Sequence, residues 1–170
     1  VASHAPGLWI ISGDWYVTTQ GANSVKGSAI AGAGIYEHVM GTYDGTNLRV
    51  IVNGSLVGGP TAKDSAPTSE QLVFGAQAKD PISTFCNSKI TQVRIWDVAR
   101  TPAQALANMN NPWLQDANIV GSWRMDRDSS EQLCLDVSGN GNHLTMGSSG
   151  DPDANEPEWI IPAYKQLPPA

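Results

Sequence analysis

The segment Tyr36–Gly54, with the sequence YEHVMGTYDGTNLRVIVNG, decides the fold of this chain. It predicts two β-strands joined at Asp44-Gly45, a dipeptide that tolerates the positive φ of a tight hairpin turn, and a second turn at its end. In the second strand Leu48, Val50 and Val52 alternate with Arg49, Ile51 and Asn53, so one face is uniformly apolar and the other is mixed, as expected of a strand that packs one face on a core. The segment therefore indicates a β-sandwich.

The overall composition supports a soluble all-β protein. The 170 residues suffice for one domain with a sizeable core. The 17 glycines and 11 prolines suit short strands and turns better than helices. A formal net charge of -6 and a sequence pI near 4.8 argue against nucleic-acid binding. No apolar run reaches the length of a membrane span, so no membrane-spanning segment is predicted.

The rest of the chain predicts further short strands and one helix. Thr101-Pro102-Ala103-Gln104 supplies an N-cap, a first-turn proline and a capping-box glutamine, which predict a helix at Pro102–Met109. Residues 21–34 are predicted as a weak strand or a loop, and residues 58–69 as a turn-rich connection. The remaining predicted strands are Leu8–Ser12, Trp15–Gln20, Gln71–Gly75, Lys89–Asp97, Ile119–Met125, Leu133–Val137 and His143–Met146.

Three segments resemble one known family. Tyr36–Gly54 is similar to the WHHVAGTYDGTTLRLYVNG segment of laminin-G-like and pentraxin-like domains, and Phe85–Arg100 is similar to a later strand of the same domains. Ile119–Asn142 resembles the family's YWRFDEG strand and DSSGNGN loop. The resemblance implies an antiparallel jelly-roll β-sandwich of the concanavalin A-like type at residues 1–150, with one short helix. An extended, proline-rich tail is predicted at residues 151–170.

The order of these segments departs from the family pattern. The segments that resemble YWRFDEG and DSSGNGN usually stand near the start of the domain, whereas here they come last. The chain is therefore predicted to be circularly permuted in effect, one unit of a tandem array, or the C-terminal piece of a longer protein. In the latter two cases exposed sheet edges would need a partner, so a homo-oligomer or a complementing chain is predicted.

The resemblance also implies a disulfide between the two cysteines. If Lys89–Asp97 pairs antiparallel with Ile119–Met125, as the family's terminal strands do, Cys86 and Cys134 come to the same end of the sheet. A bridge would close a loop of about 48 residues, which stabilises by ~4 kcal/mol in the chain-entropy model. It would also imply secretion into an oxidising compartment. The alternative is two buried thiols in a cytosolic protein.

Catalysis is not predicted. Retaining glycosidases need two carboxylates about 5 Å apart, and no strand of this chain carries an alternating acidic pattern that would supply them. Glu37 and His38 begin a strand and are interpreted as surface residues. No nucleophile elbow, phosphate loop or zinc-spaced histidine cluster is present.

Calcium is the predicted cofactor, because two loops offer the hard oxygen ligands that it prefers. The first loop, with the sequence DVSGNGN at residues 136–142, has side-chain oxygens at every second position, and Asp136, Asn140 and Asn142 are the predicted ligands, although asparagine and glycine also form plain turns. The second loop carries Gln77 and Asp80 and resembles, with one extra residue, a calcium cluster of pentraxins.

Sugar recognition is the predicted function. An aromatic ring covers the apolar face of a sugar, and a carboxylate or an amide binds its hydroxyl groups. Asp14, Trp15 and Tyr16 flank a turn and Trp113 follows the helix, which makes these four residues candidates, with core packing as the alternative for the aromatic ones. Trp96 and Trp123 lie in the two clearest strands and are predicted to be core residues.

Taken with the resemblance, these patterns predict a secreted, calcium-dependent, non-catalytic lectin that binds glycans. Galactose or N-acetylgalactosamine is preferred only by analogy with lectins of this fold. One alternative is an extracellular adhesion domain that binds proteins, as laminin-G-like domains often do. Another is an accessory or degenerate module of a glycoside hydrolase.

Overall fold

The computed structural model of the chain describes residues 7–18, 24–62, 73–75, 86–125 and 132–147. The predicted tail at 151–170 lies outside these residues. The described strands and helix are β1 Gly7–Ile11, β2 Asp14–Thr18, β3 Ser24–Ala29, β4 Val39–Tyr43, β5 Asn47–Val52, β6 Ser55–Ala62, β7 Val93–Trp96, α1 Pro102–Asn108, β8 Ile119–Trp123, β9 Leu133–Cys134 and β10 Leu144–Thr145. All the sheets are antiparallel.

The chain divides into two compact units. The first unit comprises residues 1–71 and 98–114, and the second comprises residues 72–97 and 115–170. In the first unit, the sheet β1-β2-β3 packs on the sheet β4-β5-β6. Val17 and Val25 from one sheet meet Leu48, Val50 and Val52 from the other in a buried apolar cluster. The predicted all-β sandwich with one helix is thus confirmed.

The central hairpin forms as its sequence predicts. Gly45 adopts a φ of 91°, which a residue with a side chain rarely does. Asp44 Oδ1 accepts hydrogen bonds from the N–H of Thr46 at 3.0 Å and of Asn47 at 2.7 Å. Its Oδ2 binds Arg49 Nη1 at 2.6 Å. The N–H of Asn47, the guanidinium of Arg49 and the N–H of Thr46 hold the pKa of Asp44 well below its usual range.

Two details of the first unit differ from the prediction. Ile51, predicted on the mixed face of its strand, is fully buried because β5 is the central strand of its sheet and helix α1 packs against the neighbouring β6. The predicted connection at 58–69 begins as strand, since β6 continues to Ala62. Gly58 allows this, because a Cβ atom there would clash with the carbonyl oxygen of Lys26 in β3. Residues 24–29 of the weak segment form β3.

The second unit contains the predicted antiparallel pair of β7 with β8. Trp123 is buried, and its ring meets Phe74 edge to face with the ring centroids 5.4 Å apart. Trp96 is half-buried. The two last predicted strands are shorter than expected: β9 and β10 pair over two residues each, and Asp136 forms an isolated bridge with Trp123.

Helix α1 begins where its capping signals place it. The Thr101 hydroxyl accepts a hydrogen bond from Gln104 N, and the Gln104 side chain accepts one from Thr101 N at 2.9 Å. The helix ends one residue earlier than predicted, with Met109 as its C-cap. Among the described residues, no helix is long and apolar enough to cross a lipid bilayer.

The predicted disulfide is wrong in this structure. Cys86 and Cys134 are both thiols. Cys134 is buried, and its sulfur points to the Met125 sulfur at 3.5 Å. Cys86 is exposed, with its Sγ 2.8 Å from the Ser88 hydroxyl. The predicted pairing of β7 with β8 therefore did not bring the two sulfurs together, because each side chain has a different neighbour.

Candidate functional site

The candidate site lies on the outer face of the sheet β1-β2-β3. In register, Trp9 of β1 is opposite Tyr16 of β2, and Tyr16 is opposite Lys26 of β3. Cross-strand partners project from the same face of a sheet. Because Val17 belongs to the buried cluster, its neighbour Tyr16 faces away from the core. We refer to Trp9, Tyr16, Lys26 and Asp14, which shares this face, as the outer row.

Trp9 is held in one orientation. Its indole Nε1 donates a hydrogen bond to the hydroxyl of buried Thr18 at 2.8 Å. A Cβ atom on Gly7 would lie 2.8 Å from the same nitrogen, so the indole needs a glycine at this position. Trp9 was not among the predicted site residues. The short turn at Ser12-Gly13, which pairs Ile11 with Asp14, also pairs Trp9 with Tyr16 and could have identified it.

An ion pair stands beside the two aromatic rings of the outer row. Lys26 Nζ lies 2.7 Å from Asp14 Oδ2. The hydrogen bond with Asp14 and the charge of its carboxylate raise the pKa of Lys26. The amine offers donors and the carboxylate offers acceptors, while the two charges cancel. The outer row therefore combines ring faces with both kinds of hydrogen-bonding group.

Trp15, the third predicted residue at this turn, lies on the opposite face of β2 and packs against the core cluster. Its Nε1 donates a hydrogen bond to Glu37 Oε2 at 3.1 Å, and the same oxygen accepts from Ala31 N at 2.8 Å. Glu37, interpreted from the sequence as a surface residue, thus anchors the loop at 30–38 to the first sheet.

Trp113 is 63% exposed on the segment that follows helix α1. Its backbone N–H donates a hydrogen bond to Asn111 Oδ1 at 3.1 Å. The structure therefore brings Asp14 and Tyr16 together with Trp9 and Lys26, and it places Trp15 and Trp113 outside the outer row.

The predicted calcium loop at 136–142 is closed by its own hydrogen bonds. Asp136 Oδ1 accepts from Ser122 N at 2.9 Å and from Ser138 N at 2.8 Å, and Oδ2 accepts from Asn142 N at 3.0 Å. Burial raises the pKa of Asp136. Hydrogen bonds from Ser138, Ser122 and Asn142 outweigh this effect, and the net result is a pKa below its usual range.

The asparagines of this loop also act as donors. Asn140 Nδ2 donates to the carbonyl oxygens of Ile119 and Val120, at 2.7 and 3.1 Å. Asn142 Nδ2 donates to Val120 O at 2.8 Å. Calcium needs six to eight oxygen ligands, whereas the Asp136 oxygens already accept three N–H groups, so a calcium site in this loop stays a prediction. Gln77 and Asp80 lie outside the described residues.

Comparison with known families agrees with this architecture. A laminin-G-like family model, described as the concanavalin A-like lectin/glucanases superfamily, matches residues 6–105. The chain belongs to this family. The match spans both sheets of the first unit, and it includes the outer row. No curated protein and no solved structure matches the chain.

The laminin-G-like fold accounts for the sandwich but leaves its chemistry open, because the superfamily includes both lectins and glucanases. The outer row has one acidic residue, Asp14, and that residue is paired with Lys26. Within the described segments, no group of three His, Cys, Asp or Glu side chains is arranged to hold a metal ion. The arrangement of the outer row is suited to bind the apolar face and the hydroxyl groups of a ligand.

Proposed function

We propose that this laminin-G-like domain is a non-catalytic carbohydrate-binding module and that the outer row is its sugar site. The observation that carries the proposal is the alignment of Trp9, Tyr16 and Lys26 across three strands, next to Asp14. The rings of Trp9 and Tyr16 cover the apolar face of a sugar. Lys26 donates hydrogen bonds to its hydroxyl oxygens, and Asp14 accepts hydrogen bonds from its hydroxyl groups.

The absence of a second carboxylate beside Asp14 in the outer row supports binding rather than hydrolysis. Glycosidases use two carboxyl groups that are about 5 to 9.5 Å apart, depending on the stereochemical outcome. Here the one carboxylate is held by Lys26. Galactose and N-acetylgalactosamine are the first ligands to test, by analogy with lectins of this fold. Secretion stays a prediction from the sequence.

Replacing Tyr16 with alanine is expected to weaken sugar binding at least tenfold. The substitution removes a central ring of the outer row, and loss of an aromatic anchor usually costs well over ~1.4 kcal/mol, which is a factor of ten in Kd. Isothermal titration calorimetry with a panel of galactosides and other monosaccharides measures the effect.

Tyr36→Ala is the matched control, because Tyr36 is an exposed tyrosine of the same unit that lies outside the outer row. Its affinity should equal that of the wild type. Equal losses in the two variants, or no loss in Tyr16→Ala, would contradict the assignment of the outer row.

Removing calcium is expected to leave sugar binding unchanged, contrary to what the family resemblance implied. Lys26 and Asp14 bind hydroxyl groups without a metal, and loop 136–142 is already closed by hydrogen bonds to Asp136. Titrations with calcium and with EDTA should therefore give the same Kd, and the melting temperature should not move. Binding that is lost in EDTA and restored by calcium would instead implicate Gln77 and Asp80.

Protein adhesion is the second candidate function, and the exposed apolar side chains of β1 favour it. Leu8, Ile10 and Ile11 are each more than 40% exposed, and β1 is at the edge of its sheet among the described strands. Exposed apolar edge strands attract partners. If no sugar binds with calcium or with EDTA, and light scattering shows more than one chain per particle, adhesion becomes the better proposal.

A further inference from the structure

A shallow groove in the second unit is separate from the outer row. It has a volume of about 310 Å³ and is lined by Ile95, Val120, Trp123, Asn142, His143 and Leu144. The floor is apolar, and the two polar residues are adjacent in sequence. No side chain of this lining carries a carboxylate, an amine or a guanidinium. The groove is therefore suited to an uncharged ligand with an apolar face.

His143 presents a hydrogen-bond donor at this groove. Its Nδ1 accepts a hydrogen bond from Asp136 N at 3.1 Å. A ring nitrogen that accepts a hydrogen bond carries no proton, so the proton of the neutral imidazole is on Nε2. Because His143 is exposed, this Nε2–H can donate to a ligand without breaking the bond from Asp136.

Asn142 presents an acceptor next to this donor. Its main chain and side-chain nitrogen are already engaged: N donates to Asp136 Oδ2 at 3.0 Å, Nδ2 donates to Val120 O at 2.8 Å, and O accepts from Trp123 Nε1 at 2.7 Å. These bonds fix the direction of the amide and leave its Oδ1 to accept from a ligand. A fixed donor and a fixed acceptor thus stand side by side over an apolar floor.

We propose that this groove binds a single neutral sugar ring, as a second carbohydrate site that does not depend on the outer row. Ile95, Val120 and Leu144, which line the groove, cover the C–H face of the ring. His143 Nε2–H donates to one hydroxyl oxygen, and Asn142 Oδ1 accepts from a neighbouring hydroxyl group. The volume is at the lower end of the range for ligand pockets, about 300 to 1,000 Å³, and is sufficient for one ring rather than an oligosaccharide.

The test uses the three histidines of the chain as reporters. The full chain is labelled with ¹⁵N and ¹³C in histidine only and titrated with methyl galactoside and methyl glucoside at millimolar concentrations. The ring signals of His143 should shift and saturate, while those of His38, which is in the first unit and outside the outer row, stay in place. The same shift should persist in the Tyr16→Ala variant, which separates this groove from the outer row. No saturable shift of His143 with either glycoside would overturn the proposal.

Two substitutions of matched exposure complete the test. Val120, in the groove, is 41% exposed, and Leu133, in the same unit but outside the lining, is 40% exposed. Val120→Glu should raise the Kd reported by the His143 signals at least tenfold, because it puts a carboxylate into the apolar lining of the groove. Leu133→Glu should leave the response unchanged. The ring shifts of His143 in the absence of sugar verify that each variant keeps the bond from Asp136. A Val120→Glu variant that retains the wild-type response would place the ligand elsewhere.

Discussion

Replacing Leu48 with alanine is expected to lower the free energy of unfolding by about 4 kcal/mol. Leu48 is 1% exposed and belongs to the cluster in which Val17 and Val25 meet β5. Alanine loses the transfer free energy of the removed carbons and leaves a cavity between two sheets that cannot fully close. Urea denaturation of the wild type and the variant measures the difference.

Leu56→Ala provides the comparison for this prediction. Leu56 lies on the adjacent strand β6 and is 42% exposed. The same chemical change should therefore cost less than about 1 kcal/mol there. If the two leucine variants lost the same stability, or if Leu48→Ala lost less than Leu56→Ala, the core between the two sheets would be assigned wrongly.

Replacing Asp136 with asparagine is expected to lower the free energy of unfolding by about 3 kcal/mol. Asp136 is 7% exposed, and its oxygens accept from the N–H groups of Ser122, Ser138 and Asn142. An asparagine at this position presents an NH₂ group to at least one of these donors, so a buried N–H loses its partner. Thermal and urea unfolding measure the loss. Asp97→Asn, an exposed change in the same unit, should stay within about 0.5 kcal/mol of the wild type.

The same carboxylate makes stability depend on pH in a defined direction. The pKa of Asp136 is lower in the folded chain than in the unfolded chain, where the ordinary value is about 4. The unfolded chain thus takes up the proton first as the pH falls, and the contribution of Asp136 is complete above pH ~4 and is lost below it. The Asp136→Asn variant should lose less stability than the wild type between pH ~5 and pH ~2. Parallel pH profiles in the two proteins would show that Asp136 does not contribute.

Local sequence signals predicted much of the fold. The Asp44-Gly45 turn formed because glycine adopts the positive φ and because Asp44 reaches the N–H groups of the next residues. Helix α1 began at its capping box because the side chains of Thr101 and Gln104 each accept a hydrogen bond from the other's backbone N–H. The alternation of apolar residues from Leu48 to Val52 identified the core face of β5. These signals act over a few residues, so they can be read along the chain.

The candidate site was only partly predictable. Asp14 and Tyr16 were found because they flank a turn, but Trp9 and Lys26 join them through strand register. Trp15 was grouped with them by sequence position, whereas alternation sends it to the core side, where Glu37 binds its indole. The register of β1 with β2 was accessible from the turn at Ser12-Gly13. To predict the pairing of β2 with β3, one must know that residues 24–29 form a strand. Their small, polar sequence did not specify this.

The amino-acid pattern alone was sufficient to predict the hairpin, the start of the helix and the sandwich. The first two depend on local backbone preferences, and the sandwich depends on which face of a strand is apolar. Tertiary structure decided the hydrogen-bond partners of Asp136, the separation of the cysteine sulfurs and the burial of Ile51. Each of these depends on which distant backbone group or side chain meets the residue. A carboxylate can accept N–H groups or bind a metal, and only the fold places Ser122 N at 2.9 Å from Asp136 Oδ1.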